Sequence, residues 1–410
     1  MYSEEGDYYF QENISVHDLT EKYDCPLYVY DGNIIEEQYH KLVNAFDLPR
    51  LQINYACKAL TNLSILKIIK NLGAHLDTVS IQEVKLGLHA GFTATEIMYT
   101  PNCVSLEEIK LAVALGVKIN IDNLSILEQF GQVFPEYPVC IRINPHIMAG
   151  GNSKISVGHI DSKFGISIHQ LPHIMRIVEN TGLTIDGLHM HTGSDILDSG
   201  VFLQGAELFL SIANQFPDLD YLDLGSGFKV SYKNDGIETD VEDLGTKLSA
   251  RFNEFFKSYG KVLKIIFEPG KYLVSRAGTF LTKVNVVKQT TSNVFLGVDS
   301  GLNHLIRPML YDAYHLIENV SKVSGPTRIY SIVGYICETD TFGVNRKLTE
   351  VNEGDILAFH NAGAYCYQMA SNYNSRYRPA EVLVYNGKEH LIRKRETFDD
   401  LIANQVMADL

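Results

Sequence analysis

Between about residues 50 and 270 eight short apolar runs alternate with seven longer segments that carry apolar residues at helical spacing. The runs are INYAC (53–57), HLDTV (75–79), IMYT (97–100), KINID (118–122), VCIRI (139–143), IDGLHMH (185–191), YLDLG (221–225) and IIFEPG (265–270). Each has strand length. The segments around 63–72, 81–90, 105–115, 124–133, 170–181, 200–215 and 240–259 carry apolar residues three and four apart, which predicts helices. Asn62 before the first helix and Gly73 after it are cap signals. Alternating strands and helices predict an α/β fold with a parallel sheet. Eight units predict a (β/α)8 TIM barrel rather than an open doubly wound sheet. The glycine fingerprint of dinucleotide-binding sheets is missing near the first strand, which also disfavours the open sheet.

After about residue 275 helical periodicity fades. TFLTKVNVVKQ, NVFLGVDS, RIYSIVGYIC, DILAFHNAGAY and AEVLVYNGKEHLIR read as strands, with Asn386-Gly387 as a turn. This predicts a second, mainly β domain, sandwich-like or barrel-like, over 274–410. The first 31 residues, ending in PLYVYD, read as strands that join it. The barrel domain is then 32–273, and the second domain is expected to complete the active site and a dimer interface.

The chain has 410 residues and a formal net charge of −14, which argues against nucleic acid as a partner. No apolar run reaches 18 residues, so no membrane span is expected. The acidic start, MYSEEGDYYF, lacks a signal-peptide pattern, and a cytoplasmic location is expected. Six cysteines are scattered without a CxxC pair, so neither a metal site nor a disulfide framework is expected.

In such a barrel, chemistry gathers at the C-terminal ends of the strands. Lys58, Asp77, Arg142, Asn144, His189, His191, Gly225, Gly227, Glu268 and Lys271 fall there. From its neighbours alone Lys58 is either a charge snorkelling to water or a buried amine of lowered pKa, able to condense with a cofactor aldehyde. The turn in DLGSGF (223–228) is either a plain tight turn or an anion cradle. Glu268 is either a rim carboxylate in a salt bridge or the partner of a protonated pyridine nitrogen. His191 is either a core histidine or a flat cover for a ring.

Ten motifs occur in one order: PLYVYD, YACKA, RINP, SKFGI, HMHTGSDI, DLGSGF, EPGK, RPMLYDAYH, CETD and GAYCYQMASNYN. On these the chain resembles, over roughly residues 24 to 400, the alanine-racemase-like, fold-type III pyridoxal-phosphate decarboxylases. Within them it is similar to the branch that acts on meso-2,6-diaminopimelate. The resemblance implies pyridoxal 5'-phosphate as cofactor and a covalent role for Lys58. It implies that His191 stacks on the ring and that Ser194 lies near the phosphate. Gly225, Ser226 and Gly227 would cradle that phosphate, and Glu268 would pair with the ring nitrogen. Asp77 is counted with the cofactor-binding residues, and Lys271 with both cofactor and substrate. Tyr365 would reach the phosphate or the substrate. Arg307, Tyr311 and Glu338 would hold the distal end of an amino-acid substrate. Cys337 would donate a proton from the other subunit of a homodimer with shared active sites.

Four positions depart from the family pattern: Lys271 stands where EPGR is usual, Ser226 and Gln82 for glycines, and Thr339 for serine. Lysine keeps the charge of arginine but loses its planar fork. The implied reaction converts meso-diaminopimelate to L-lysine and carbon dioxide, the last step of lysine biosynthesis. The alternatives are decarboxylation of ornithine, arginine, lysine or a carboxylated polyamine, toward which Asp312 points, and a non-catalytic homologue that only binds the cofactor.

Overall fold

The computed structural model describes residues 1–4, 7–11, 14–146, 162–191, 193, 196–197, 199–233 and 236–410. They form two compact units. One comprises Glu36–Ser231 and Ile237–Leu273; the other comprises Met1–Ile35, Tyr232–Gly236 and Val274–Leu410.

The first unit is a closed parallel barrel. Its strands are β1 (Leu51–Ala56), β2 (His75–Thr78), β3 (Ile97–Tyr99), β4 (Lys118–Ile121), β5 (Val139–Asn144), β6 (Ile185–His189), β7 (Tyr221–Asp223) and β8 (Lys264–Phe267). Each pairs in parallel with the next. Closure comes from β8 against β1, in the register Ile265↔Leu51 to Phe267↔Ile53. All eight apolar runs of the sequence are therefore barrel strands. Met98, Cys140, Tyr221 and Ile266, from β3, β5, β7 and β8, form a buried cluster, since the interior of such a barrel is filled by side chains. Gly187 on β6 makes room for it, since a Cβ there would lie 2.2 Å from the Tyr221 ring.

The intervening helices follow from their patterns. In Leu63–Asn71 the Asn62 side chain accepts the Ser64 N–H, capping the helix start. Ile65, Leu66, Ile68 and Ile69 are buried along one face, each contributing roughly 1.5–3 kcal/mol by leaving water. Ser80, Ser105, Asn123 and Asp240 cap later helices in the same way. These caps fix where each helix begins, and so fix the loop between it and the preceding strand end.

The second unit is a mixed sheet. Its strands include β9 (Gly278–Gln289), β10 (Val294–Val298), β11 (Ile317–Asn319), β12 (Thr327–Val333), β13 (Thr341–Thr349), β14 (Ile356–Phe359), β15 (Ala380–Tyr385) and β16 (Lys388–Arg393). PLYVYD supplies Leu27–Asp31, which lies between β9, antiparallel, and β15, parallel. The β15–β16 hairpin turns at Asn386 and Gly387, both at positive φ (51° and 70°), as a two-residue hairpin loop requires. Tyr30 is buried and donates its hydroxyl hydrogen to Glu381, 2.7 Å away. Among the described residues no helix is long and apolar enough to cross a membrane.

Candidate active site

The residues singled out in the sequence divide between the two units. Lys58, Asp77, His191, Gly225, Ser226, Gly227, Glu268 and Lys271 belong to the barrel; Arg307, Tyr311, Cys337, Glu338 and Tyr365 belong to the second unit. Ser194 lies outside the described residues.

In the barrel, β1 ends in a 3-10 turn, Cys57–Ala59. Cys57 and Ala59 are fully buried, whereas Lys58 between them is exposed. The turn is held against the EPGK loop: Ala56 N–H donates to the Pro269 carbonyl, and a Cβ on Gly270 would press on Ala59 and Ala56 at 3.0 and 3.1 Å. Of the two readings of Lys58, its exposure matches the amine that reaches water rather than the buried one. Its side chain is 45% exposed, with the amine 3.5 Å from Asp77, whose own side chain is 1% exposed. A flexible four-carbon stem at a turn reaches water even where its base is packed.

Glu268 follows β8. Its backbone N–H donates to the Gly225 carbonyl at 2.7 Å. Its Oε2 lies 3.0 Å from Nε2 of His189, the last residue of β6, and both side chains are buried. Oε1 is buried and has no hydrogen-bond partner among the described residues. Burial alone would raise this carboxyl; the charge and hydrogen bond of His189, with Lys58 beyond it, outweigh that and hold it below the usual carboxylate range. Its neighbours go the other way. Burial and the charge of Glu268 push Asp77 up to about 6, against the pull of Lys58. The same two causes push Asp223 well above its ordinary value. One ionised carboxylate among carboxyls driven toward neutrality is what repulsion in a low-dielectric site produces.

Asp223, at the end of β7, accepts the Gly225 N–H at 2.9 Å and so shapes the glycine turn. Gly225 has φ +62°, and a Cβ there would come within 2.5 Å of His191 Nδ1. Gly227 has φ +139°, and its Cβ would meet the Gly193 carbonyl at 2.7 Å. Ser226 is not among the positive-φ residues, so serine replaces the usual glycine without backbone strain. The Ser226 N–H donates to His191 Nδ1 at 3.2 Å. That bond fixes His191 with its proton on Nε2 when neutral, and burial, with Arg142 and Lys58 nearby, drives the ring well below its ordinary pKa. Lys271 opens a short helix, Lys271–Val274, directly after the loop.

RINP and SKFGI meet in space. The buried Arg142 guanidinium lies 4.8 Å from the Phe164 ring centroid, and Asn144 Nδ2 donates to the Phe164 carbonyl.

In the second unit Arg307 and Tyr311 bound one short helix, closed by Asp312 in the left-handed conformation. Asp312 thus ends a helix and is exposed. Arg307 is buried, donates from Nη1 to the Tyr232 hydroxyl at 2.8 Å, and lies against the Cys366 thiol. Tyr365 has φ +57°. A bulky residue held there costs roughly 1–3 kcal/mol, which marks the turn as a site where geometry outranks comfort. Cys337 and Glu338 are exposed on a loop built by buried Asp340, which accepts the N–H groups of Leu302 and Ile336. Asn374 Nδ2 lies 3.4 Å from the Cys337 sulfur, and the Tyr373 hydroxyl donates to Glu338 at 3.1 Å. CETD and the end of GAYCYQMASNYN are therefore one surface feature.

Sequence reasoning gave no role to His189, Asp223, Asp340 or Tyr232. His189 sat at a strand end in HMH, a signal that pointed to it; Asp223 read only as part of a strand, and Tyr232 carried no signal.

The family "Pyridoxal-dependent decarboxylase, pyridoxal binding domain" matches residues 33–275. A diaminopimelate decarboxylase of Methanothermobacter thermautotrophicus is 38% identical, over 95% of this chain and 93% of that protein. The crystal structure of diaminopimelate decarboxylase from M. jannaschi superposes with a TM-score of 0.90 at 30% identity, covering 99% of this chain and 98% of that one. A structure of the M. jannaschii enzyme in complex with L-lysine gives 0.89 at 31% identity, over 97% and 96% of the two chains. Barrel, site and relatives agree: the chain belongs to the diaminopimelate decarboxylase family of pyridoxal-dependent decarboxylases.

Proposed function

We propose that this chain decarboxylates meso-2,6-diaminopimelate to L-lysine and carbon dioxide, with pyridoxal 5'-phosphate as cofactor. The observation that carries the reading is Glu268. It is buried, kept ionised beside His189, and has one oxygen without a partner among the described residues. A buried acceptor left unmade is costly, and a pyridinium N–H is the donor that suits it. The turn at Gly225 and Gly227, where no Cβ fits, suits a phosphate approached by backbone. Lys58 would hold the cofactor through its amine, next to Asp77. His191, its Nδ1 occupied by Ser226, would cover the ring; Ser194, Lys271 and Tyr365 would assist at the phosphate. When bound, the cofactor supplies a sink for the electron pair left as carbon dioxide departs.

The remaining work falls to side chains. Glu268 stays ionised and keeps the ring nitrogen protonated. Arg307 grips the carboxylate at the far end of the substrate. Glu338 takes the far ammonium, Tyr311 adds a hydrogen bond, and Lys271 and Tyr365 steady the near end. The Cys337 thiol gives its proton from Sγ to the carbon that lost the carboxylate. Each of two identical chains lends Cys337 and Glu338 to the other, an arrangement supported by the exposure of both residues. The cytoplasm is the proposed compartment; six free thiols suit its reducing chemistry.

The test offers meso-diaminopimelate, ornithine, arginine and lysine in turn to the cofactor-loaded protein and follows carbon dioxide. Meso-diaminopimelate should be turned over fastest, with L-lysine as product. Faster release from ornithine would overturn the reading.

A further inference from the structure

Arg307 is 8% exposed, and its surroundings fix more than its position. Its Nη1 donates to the Tyr232 hydroxyl at 2.8 Å. The same nitrogen lies 3.5 Å from His315 Nε2, at the limit of a hydrogen bond. His315 is fully buried, and its Nδ1 lies 2.8 Å from the His360 carbonyl oxygen. A carbonyl only accepts, so Nδ1 carries the hydrogen and Nε2 presents its lone pair to the guanidinium. Burial and the Arg307 charge push this imidazole down to about 3, which keeps it in that neutral form.

The two flanking rings brace each other. The guanidinium carbon sits 4.9 Å from the Tyr232 ring centroid. The Tyr232 and His315 rings meet edge to face, 5.3 Å apart at 89°. His360 is tied in turn to Glu318 at 2.6 Å. Nη1 is thus committed on one side of the guanidinium. On the other side Nε is buried and has no hydrogen-bond partner among the described residues. An N–H left so is costly unless a ligand takes it.

We infer that Tyr232 and His315 are positioning residues, which clamp Nη1 of Arg307 so that its Nε edge is presented to the carboxylate at the far end of the substrate. The inference rests on the proposed carboxylate-binding role of Arg307 and adds what aims it. Tyr232 belongs with the second unit, although Ser231 just before it belongs to the barrel. Tyr232 thus brings a hydroxyl to an arginine 75 residues away in sequence. Without the clamp a guanidinium can rotate about its stem, and the two-point match to a carboxylate is lost.

The test compares two inhibitors of the cofactor-loaded enzyme, L-lysine and cadaverine, which differ by one carboxylate. Tyr232→Phe keeps the ring and removes the hydroxyl. It should weaken L-lysine about tenfold, the loss of one hydrogen bond to a charged group. It should leave cadaverine within about twofold. The KM for meso-diaminopimelate should rise about tenfold while kcat is kept, as for an interaction made equally in the ground and transition states. Tyr232→Leu, which also removes the ring, should weaken L-lysine further. Unchanged L-lysine binding in both variants overturns the clamp. So does an equal loss for L-lysine and cadaverine, which is the mark of a merely structural role. Arg307→Met separates the two layers. If it weakens L-lysine but Tyr232→Phe does not, the clamp alone fails. If it leaves L-lysine binding intact, the carboxylate role of Arg307 has failed and the clamp falls with it.

Discussion

The carboxyl cluster of the barrel and the Cys337–Glu338 loop of the second unit are built in opposite ways. In the barrel, Asp77, His189, Asp223 and Glu268 are buried; burial and the Glu268 charge push Asp77 and Asp223 up, while His189 and Lys58 hold Glu268 down against its burial. Backbone bonds lock the set: Glu268 N–H to Gly225 O, Gly225 N–H to Asp223, Ser226 N–H to His191. In the second unit Cys337 and Glu338 stand exposed, with one side-chain partner loop at Tyr373 and Asn374. The contrast fits a division of labour. A cofactor ring needs fixed charges in a dry site, where electrostatics act strongly. A proton donor that serves another subunit has to sit on a surface.

The largest effect that separates the two regions is kinetic. Cys337→Ala should lower turnover of meso-diaminopimelate by roughly 10²- to 10⁴-fold, the range for a lost general acid, with cofactor still bound and stability changed by no more than about 0.5 kcal/mol. Unaltered turnover would remove Cys337 from the reaction. A smaller, thermodynamic effect belongs to the barrel. Asp77 has a folded pKa of about 6, against about 4 unfolded. Between these values the folded state holds more protons, so its contribution to stability is full below about pH 4 and is lost as pH rises through about 6. In cofactor-free protein Asp77→Asn should flatten that fall, worth of the order of 1–3 kcal/mol, as read by denaturant melts at several pH values. The same slope in wild type and Asp77→Asn would show that burial of Asp77 is not felt as argued.

The barrel was legible in the sequence because its parts are local. Apolar runs such as INYAC and IIFEPG can only be buried strands between amphipathic helices, and Asn62 and Ser105 cap within three residues of their partners. Lys58, Glu268 and the glycine turn stand out in the sequence because strand ends are a small set of places. What escaped is long-range. The bond between His189 and Glu268 joins residues 79 apart, and nothing local says which strand-end carboxylate finds the imidazole. Asp223 looked like one polar letter in a strand, yet it accepts the Gly225 N–H and shapes the glycine turn. The neighbours of Lys58 leave it open between a snorkelling charge and a buried amine; in the 3-10 turn Cys57 and Ala59 are buried while the Lys58 side chain is 45% exposed. Asp312 was weighed as a substrate contact, and its left-handed backbone gives it work as a helix end.

The claim that joins both regions is that one chain holds the cofactor and another supplies the proton. Lys58→Ala and Cys337→Ala chains, each inactive alone, can be co-expressed with different tags and purified through both. Such a mixed dimer has one site in which an intact barrel meets an intact thiol, and carbon dioxide release from meso-diaminopimelate should return to a substantial fraction of the wild-type rate. Release no greater than that of the two parent variants would contradict the shared site.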